Sequence, residues 1–328
     1  MVKEKLKILL VYNHDRSFVK KDISILKKHF EVETYFYKKD KNLHKLKKLV
    51  RWCDIVYCWF ASYHCIFPFL FAKIYKKKKV VVVGGFDACN IKGYGIFSTW
   101  KGTMLAKYIY RHADRILVVD DSLKKDILSN SKLKISDKIE VLPTGYDYTK
   151  WNAGIKKEKI VLTVCFVDKN NWWRKGIKTL VEASRSLPDI PFYVVGKIDK
   201  SVEDKVKKSP KNVKFTGWVS DDELLEFYKK AKVYCQLSRY EGLPNVLCEA
   251  MLCECVPVGT EYCGIPTAIG DTGFYVPYGD AKATAEAIKK ALDAPDELGK
   301  RARERIMELF PRERREEKLV KIIKNMGD

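Results

Sequence analysis

Residues 6–37 read LKILLVYNHDRSFVKKDISILKKHFEVETYFY, a short apolar run, a lysine-rich helical pattern and a second short apolar run. A helical pattern near 43–51 and the apolar run Ile55–Trp59 continue the alternation. The runs Val80–Val83 and Ile116–Val119 are apolar at every position, which is typical of parallel strands covered on both faces. The alternation therefore predicts a doubly wound α/β sheet.

The same pattern starts again in the second half of the chain. After VLPTGYD (141–147) and a polar stretch, a strand at 160–166, a helix at 177–186 and further strands and helices follow. This restart predicts two Rossmann-like domains, residues 1–148 and 149–311. Pro311 interrupts the C-terminal helical region, and we expect the last helix, about 312–328, to pack back on the first domain.

The positive charge is concentrated in the first half. The 328 residues have a net charge of +21, and residues 1–150 hold 31 Lys/Arg against 15 Asp/Glu. Such a field attracts nucleic acid, anionic lipid or a phosphate-bearing substrate, although a lysine-rich composition without a specific partner explains it as well. The apolar stretch 55–75 precedes the run Lys76–Lys79, which is compatible with a membrane-surface segment and also with a buried strand and core helix.

The ten cysteines are irregularly spaced, mostly inside apolar runs. This predicts small buried side chains in a reducing compartment rather than disulfides. Cys253-Glu-Cys255 lacks a second ligand pair, so no metal site is expected. The N-terminus begins a strand instead of a signal segment, and no stretch has the roughly 20 apolar residues of a spanning helix, so a cytoplasmic location is expected.

The segment SRYEGLPNVLCEAM, Ser238–Met251, is the candidate site. Pro244 suits the first turn of a helix, whose free amides near 243–246 can hold a diphosphate. Glu249, about one turn further along, can accept hydrogen bonds from both ribose hydroxyls. Glu241 precedes the helix, where the sugar would lie. By spacing alone, two glutamates eight residues apart are more simply explained as surface charge.

That segment resembles the signature of glycosyltransferase family 4, the group 1 glycosyl transferases, in which two glutamates lie within EG and EAM motifs. The flanking FTGWVSDDELLEFYKKAKVYCQLS and VPVGTEYCGIPTAIGDTGFYVPYGD are similar to the family's adjoining segments. The resemblance covers most of 160–328. It implies the GT-B fold, in which two Rossmann-like domains face each other across a cleft, with the acceptor bound by residues 1–148 and the nucleotide-sugar donor by 149–311.

The resemblance also implies roles for individual residues. NWWRKGIKTLVEA resembles the family's basic loop, so Arg174 and Lys175 would bind the donor phosphates in place of a metal ion. Glu241 would contact the sugar and Glu249 the ribose. The remaining donor contacts are expected at the diphosphate from Gly242, Leu243, Pro244 and Asn245, and at the base from Gly217, Trp218 and Val219.

Several positions depart from the family pattern. No glycine follows the first strand, and His14 or Arg16 can replace that phosphate contact. Asp87 stands where many members have a histidine, either as an acceptor contact or base or as an aspartate that caps a turn. Lys169 is the cation nearest to the place of a usual second arginine. Thr267 stands where a glutamate is frequent.

These observations predict a retaining glycosyltransferase that moves a sugar from a UDP- or GDP-sugar to a lipid-linked or cell-surface glycan acceptor. It would act in the cytoplasm, with possible peripheral contact to an anionic membrane, without a bound cofactor or metal and without specific nucleic acid. The alternatives are a sugar-nucleotide epimerase or phosphorylase on the same fold, and a nonenzymatic polyanion-binding protein. A nicotinamide dehydrogenase is disfavoured because no G-x-G-x-x-G follows either first strand.

Overall fold

The computed structural model describes residues 5–154 and 156–327. Residues 1–4, the start of the predicted N-terminal strand region, and residue 328, the last of the predicted C-terminal helix, lie outside the described residues. The chain divides into two compact units. The first comprises residues 1–145 and 312–328, and the second comprises residues 146–311.

Strands and helices alternate along both units. The strands are β1 (Lys7–Tyr12), β2 (Glu31–Phe36), β3 (Ile55–Trp59), β4 (Lys78–Val83), β5 (Arg115–Val118), β6 (Ile139–Val141), β7 (Glu158–Val164), β8 (Phe192–Val195), β9 (Val213–Gly217), β10 (Ala231–Gln236), β11 (Val256–Thr260) and β12 (Phe274–Val276). The helices are α1 (Ser17–His29), α2 (Leu43–Trp52), α3 (Ile66–Ile74), α4 (Trp100–His112), α5 (Asp121–Ser131), α6 (Lys169–Arg174), α7 (Ile177–Ala183), α8 (Glu203–Lys207), α9 (Asp221–Lys230), α10 (Asn245–Leu252), α11 (Gly264–Ile269), α12 (Ala281–Asp293), α13 (Asp296–Leu309) and α14 (Arg312–Gly327).

Each unit is built on one parallel sheet of six strands, so the prediction of two Rossmann-like domains is confirmed. The first sheet has the order β2-β1-β3-β4-β5-β6 and the second β12-β11-β10-β7-β8-β9. Every residue of β3 and of β10 is buried, as expected for strands with helices on both faces. In the first sheet, right-handed crossovers put α1 on one face and α2, α3 and α4 on the other, because the chain changes direction after β2.

Two local features of the structure differ from what the sequence predicts. The helix α6 was not predicted, since six residues are too few for a helical period to stand out; it begins because the Asp168 side chain accepts a hydrogen bond from the Asn171 amide, 2.7 Å away. The stretch 55–75 contains the expected buried strand β3, but α3 is not a core helix. It buries Pro68, Phe69 and Ala72 and exposes its other face.

The cysteines are small buried side chains, as the sequence predicts: eight are buried, two are partly exposed and all ten are free. Within residues 5–154 and 156–327, no cluster of three or more histidine, cysteine or acidic side chains could hold a metal ion. Across the same residues, every helix is too short or too polar to cross a membrane.

The C-terminal helix α14 is held on the first unit by a buried ion pair. Arg315 donates from Nε to Oδ1 of Asp22 and from Nη2 to Oδ2, both at 2.8 Å. The hydroxyl of Tyr57 and the indole N–H of Trp59 also donate to Asp22 Oδ2, at 2.7 and 2.8 Å. Nη1 of Arg315 donates to the carbonyls of Leu142 and Pro143, each at 2.8 Å. The buried charges of Asp22 and Arg315 thus neutralise each other. Donors from β3 and carbonyls from the chain after β6 supply their remaining hydrogen bonds.

We expect Arg315→Met to lower the free energy of unfolding of the first unit by about 3–5 kcal/mol, because Asp22 would stay buried without its cation. Glu316→Gln is the matched control on the next residue. It removes a more exposed pair with Lys28 on the same two helices, at 3.0 Å, and should cost about 1 kcal/mol or less. Calorimetry of the three proteins measures both losses, and equal losses would contradict the role given to the Arg315–Asp22 pair.

Candidate functional site

The strand order of the second unit brings two loops together. β8 and β9 lie on one side of β7, and β10 lies on the other. In open parallel sheets, ligands bind beyond the carboxyl ends of the strands at such a change of direction. Arg174 and Lys175 follow β7 through α6, and Glu241 follows β10. The predicted charged residues therefore come from the two strands that border this crevice.

A glycine lets the two loops pack against each other. Gly176 has φ +70°, and a Cβ built on it would lie 2.3 Å from the carbonyl oxygen of Leu237. Next to this approach, the amide of Arg239 donates to the carbonyl of Arg174 at 2.8 Å. Nη1 of Arg174 donates back to the carbonyl of Tyr240 at 3.1 Å. A side chain at position 176 would separate the basic turn from the loop that carries Glu241.

Arg174, Lys175 and Glu241 form one charged cluster. Nζ of Lys175 pairs with Oε1 of Glu241, and Nη1 of Arg174 lies 3.6 Å from the same oxygen. Their side chains are only 8%, 17% and 13% exposed, in that order. Burial raises the pKa of Glu241, but Lys175 and Arg174 together lower it by more, so its net pKa lies below the usual value. Glu241 is therefore ionised at neutral pH, and the cluster has a net charge of +1.

The helix α10 begins directly after this cluster. Pro244 is the N-cap, with φ −73° and ψ 109°, so it precedes the first turn in which the sequence analysis put it. Its carbonyl accepts from the amides of Leu247 and Cys248, both at 3.2 Å. The amides of Asn245 and Val246 come before these and have no intrahelical acceptor. Gly242 and Leu243 are buried, and they connect the helix to Glu241.

Asn245 and Glu249 lie on the first two turns of α10. Oδ1 of Asn245 accepts from the hydroxyl of Tyr146 at 2.9 Å, which fixes the Asn245 side chain. Glu249 is 7% exposed on the following turn. Burial raises the pKa of the fully buried Tyr228, and the negative charge of Glu249 raises it further.

The residues predicted at the base occupy the end of β9. Gly217 has φ +78°, and no atom lies within 4 Å of the position a Cβ would take. Its carbonyl accepts from the amide of Gly196 at 3.0 Å, so the ends of β8 and β9 are joined. Trp218 is 76% exposed, and Val219 is partly exposed. This end of the sheet therefore offers an open surface around Gly217 and Trp218.

Two other predicted positions lie apart from the charged cluster. Lys169 is the exposed first residue of α6, and Arg174 is the last, so the helix separates the two cations. Thr267 lies in α11 with its side chain exposed, and its carbonyl accepts from Nη2 of Arg305 at 3.0 Å. The structure thus groups Arg174 and Lys175 with Glu241 and leaves Lys169 at the far end of α6.

Asp87, in the first unit, is surrounded by backbone donors. Its Oδ1 accepts from the amides of Gly84 and Gly85, at 3.1 and 2.9 Å, and its Oδ2 accepts from the amide of Ala61 at 3.0 Å. Burial raises its pKa to about 6, although those amides act in the opposite direction. The carboxylate is 0% exposed and joins the loops after β3 and β4. This is the geometry of an aspartate that caps a turn. The role of Asp87 as an acceptor contact or base stays a prediction.

His14 and Arg16 follow β1, where the first sheet changes direction between β1 and β3. Both are exposed. Partial burial lowers the pKa of His14, and the charge of Arg16 lowers it further, so His14 is mostly neutral at pH 7. The neighbouring Asn13 is buried and donates to the hydroxyl of Tyr63 at 2.7 Å. This edge therefore presents an exposed arginine and a neutral imidazole.

The sequence analysis missed the residues that hold the cluster in place. Gln236 donates to Ser238 Oγ at 2.8 Å and lies 3.4 Å from Glu241 Oε1. Both are buried. Gln236 and Ser238, at the end of the apolar residues 233–235, were the available signal, because buried polar groups need partners. Gly176 gave no such signal, since its need for glycine arises from Leu237, which is distant in the sequence.

Comparisons with known proteins find similar glycosyltransferases. The model of the family described as Glycosyl transferases group 1 matches residues 159–294. A Campylobacter jejuni α-1,4-N-acetyl-D-galactosaminyltransferase, named for an undecaprenol-linked GalNAc substrate, is 30% identical over 35% of this chain and 33% of its own length. The capsular polysaccharide biosynthesis glycosyltransferase CapM of Staphylococcus aureus is 26% identical over 71% of this chain and 66% of its own. The chain thus spans between one third and two thirds of these relatives.

Solved structures share the fold over nearly the whole chain. HepE of Anabaena, crystallised with UDP and glucose, has a TM-score of 0.81, 14% identity and coverage of 98% of this chain and 100% of its own. Sucrose-phosphate synthase from Thermosynechococcus elongatus has a TM-score of 0.80 at 18% identity, with coverage of 98% and 99%. At these identities the likeness concerns the fold alone.

Glu241→Gln should lower the free energy of unfolding by about 2 kcal/mol at pH 7, because Lys175 and Arg174 lose a charge-assisted partner. A carboxylate with a lowered folded-state pKa stabilises fully above its unfolded value of about 4.5, and that contribution is lost as the pH falls further. The difference in Tm between wild type and variant should therefore narrow below about pH 4.5. Glu182→Gln, at an exposed position on α7, is the control. A difference that stays constant with pH would contradict the assigned charge.

Proposed function

Because residues 159–294 match the group 1 glycosyl transferase family and the chain has two Rossmann-like units of the GT-B kind, we propose that it belongs to this family and transfers a sugar from a nucleoside diphosphate sugar to a glycan acceptor. The observation that carries this proposal is the cluster of Arg174, Lys175 and Glu241 beside the start of α10. Fixed cations and free amides at a helix start are suited to a diphosphate. The donor is a UDP- or GDP-sugar.

In the proposed complex, the donor lies along the carboxyl edge of the second sheet. The diphosphate accepts hydrogen bonds from Arg174, Lys175 and the first amides of α10, where Gly242, Leu243 and Pro244 hold the chain. Glu249 binds the ribose hydroxyls. The base contacts the backbone of Gly217, Trp218 and Val219, where the exposed Trp218 and the open space beside Gly217 leave room for it. Lys169 is proposed only as an outer phosphate contact, because it begins the helix that Arg174 ends.

The chemistry follows from where charge develops. When the bond between the anomeric carbon and the phosphate breaks, negative charge grows on the departing diphosphate and positive charge on the sugar. Arg174 and Lys175 stabilise the first. Glu241, whose charge is kept by those cations, lies close enough to stabilise the second and to accept hydrogen bonds from sugar hydroxyls. Donor binding would shift Lys175 from its pairing with Glu241 towards phosphate, which frees the carboxylate for the sugar.

The acceptor is proposed to bind the first unit, near His14, Arg16 and the loop held by Asp87. The names of the relatives support a glycan acceptor, since they include an undecaprenol-linked oligosaccharide and capsular polysaccharide biosynthesis. A lipid-linked acceptor also suits the charge of residues 1–150. We propose that the enzyme works in the cytoplasm at the membrane face, and that the sugar keeps its anomeric configuration with the departing phosphate helping to deprotonate the acceptor.

The competing functions make different predictions. A sugar-nucleotide epimerase would convert the sugar without an acceptor, whereas a transferase leaves the donor sugar unconverted. A phosphorylase would require inorganic phosphate. A nonenzymatic polyanion-binding protein would bind its ligand independently of Glu249. Incubation of the protein with the stabilising nucleotide sugar, followed by chromatography, distinguishes these cases.

The first test is thermal stabilisation by UDP, GDP, ADP and TDP. A ligand present at about 100 times its Kd and bound only to the folded state adds about 2.7 kcal/mol. For a unit of this size that corresponds to a Tm increase of roughly 5–10 °C. We expect one uridine or guanosine nucleotide to have this effect on the wild type, and Glu249→Gln to lose most of it.

Glu182→Gln is the matched control, an exposed glutamate in the same unit that should respond like the wild type. Stabilisation of all three proteins to the same extent would remove Glu249 from the donor site. No stabilisation by any nucleotide would overturn the proposed donor class.

Lys175→Ala should reduce turnover about 100-fold or more, because it removes a cation that acts on the charge developing in the transition state. Lys178→Ala is the control three residues further along, at an exposed position, and it should keep the wild-type rate. The measurement is release of the nucleoside diphosphate from the donor that stabilises the protein. Equal rates in both variants would contradict the proposed role of Lys175.

A further inference from the structure

The first unit exposes an apolar surface on two neighbouring helices. On α3, Ile66, Leu70 and Ile74 are spaced by four residues and therefore lie on one face of the helix. On α4, Trp100 and Met104 have the same spacing. Their exposed fractions are 37%, 41%, 60%, 70% and 63% in chain order. Helices α3 and α4 contact each other on the same face of the sheet, and these five exposed side chains are together called the α3–α4 surface here.

The helices that form and adjoin the α3–α4 surface carry mainly positive charge, although α5, which contacts α4, contains Asp121 and Asp126. Helices α2, α3 and α4, all of whose residues are described, contain eight lysines and arginines and no aspartate or glutamate. Over residues 41–112 there are 14 Lys/Arg and two Asp/Glu. One of the two is the buried Asp87, and the other, Asp54, accepts from the amide of Lys7 at 2.9 Å. An apolar stripe within a field of cations complements a surface that is anionic outside and apolar beneath.

We propose that the α3–α4 surface docks on an anionic lipid bilayer, with α3 lying in the plane of the interface. Nine residues cannot cross a bilayer, but an amphipathic helix can bury its apolar face among the headgroups while lysines reach the phosphates. Trp100, with Nζ of Lys101 at 5.5 Å from its ring centre, combines an apolar ring with a neighbouring cation, as is common at headgroup depth.

The position of this surface deepens the proposed function, on which its biological meaning rests. Helix α3 begins shortly after the carboxyl end of β3, and α4 after the loop that follows β4. Those strand ends are the edge of the first sheet at which His14 and Asp87 lie. A bilayer in contact with Ile66 and Trp100 would therefore lie near the proposed acceptor edge, so that a glycan carried on a lipid phosphate could reach it without leaving the membrane.

The test is sedimentation of the full chain with phosphatidylcholine vesicles, with and without phosphatidylglycerol. We expect binding only to the anionic vesicles and weakening at high salt. The double variant Leu70→Gln/Ile74→Gln should bind at least about tenfold more weakly, because two apolar side chains no longer enter the interface. Tyr148→Gln, at a residue of similar exposure (37%) in the second unit, should bind like the wild type.

A charge pair tests the electrostatic part. Lys73→Gln/Lys101→Gln should weaken binding by about fivefold per lysine, whereas Lys20→Gln/Lys318→Gln, on α1 and α14, should not. Equal binding by the Leu70/Ile74 variant and the wild type would overturn the proposal. A second result would also overturn it: the wild type does not bind anionic vesicles, is a dimer in solution, and becomes a monomer in the Leu70/Ile74 variant. The α3–α4 surface would then join two copies of the chain.

Nucleotide stabilisation, measured on the same preparations, separates this inference from the proposed function. The Leu70/Ile74 variant should keep its Tm increase with nucleotide, which also shows that it is folded. Glu249→Gln should lose that increase and still sediment with anionic vesicles. Failure of vesicle binding alone would overturn only the membrane surface, and failure of nucleotide stabilisation alone would overturn only the donor site.

Discussion

A carboxylate removed from water must be matched by fixed donors or cations, and three carboxylates with little or no exposure to water organise this protein. Asp22 is matched by Arg315, Tyr57 and Trp59, so its charge joins α14 to the first sheet. Asp87 is matched by three backbone amides, so it joins two loops. Glu241 is matched by Lys175 and Arg174. The cost of burying a charge is offset in each case by a different part of the chain.

The three solutions differ in how easily the partner can be exchanged. Backbone amides and a bidentate arginine hold one geometry, which suits Asp22 and Asp87 to structural work. Lysine is a compact charge on a flexible stem, so Lys175 can leave Glu241 when another anion arrives. Gly176 and the Arg239–Arg174 backbone bond keep both loops in place meanwhile. The second unit thus combines a rigid frame with one exchangeable ion pair.

The fold followed from the sequence wherever the local pattern was enough. The strand Ile55–Trp59 was predicted to the residue, because it is apolar at every position, and the break at Pro311 separates α13 from α14 as expected. The grouping of Arg174, Lys175 and Glu241 followed from the family resemblance, not from spacing. Gly176 could not be identified, because its requirement comes from Leu237. The sequence left open whether α3 is exposed, because the composition of 55–75 suits a membrane-surface segment and a covered core helix alike.

The return of α14 to the first unit affects the order in which the molecule can be completed. Asp22 is in α1, near the beginning of the chain, and the cation that neutralises it is residue 315. During synthesis from the N-terminus, the first unit therefore emerges with the buried carboxylate of Asp22 hydrogen-bonded by Tyr57 and Trp59 but without its cation, while the second unit has all of residues 146–311 before Arg315 appears. Domains generally fold as units as they emerge. Here the unit that is made first reaches its final stability last.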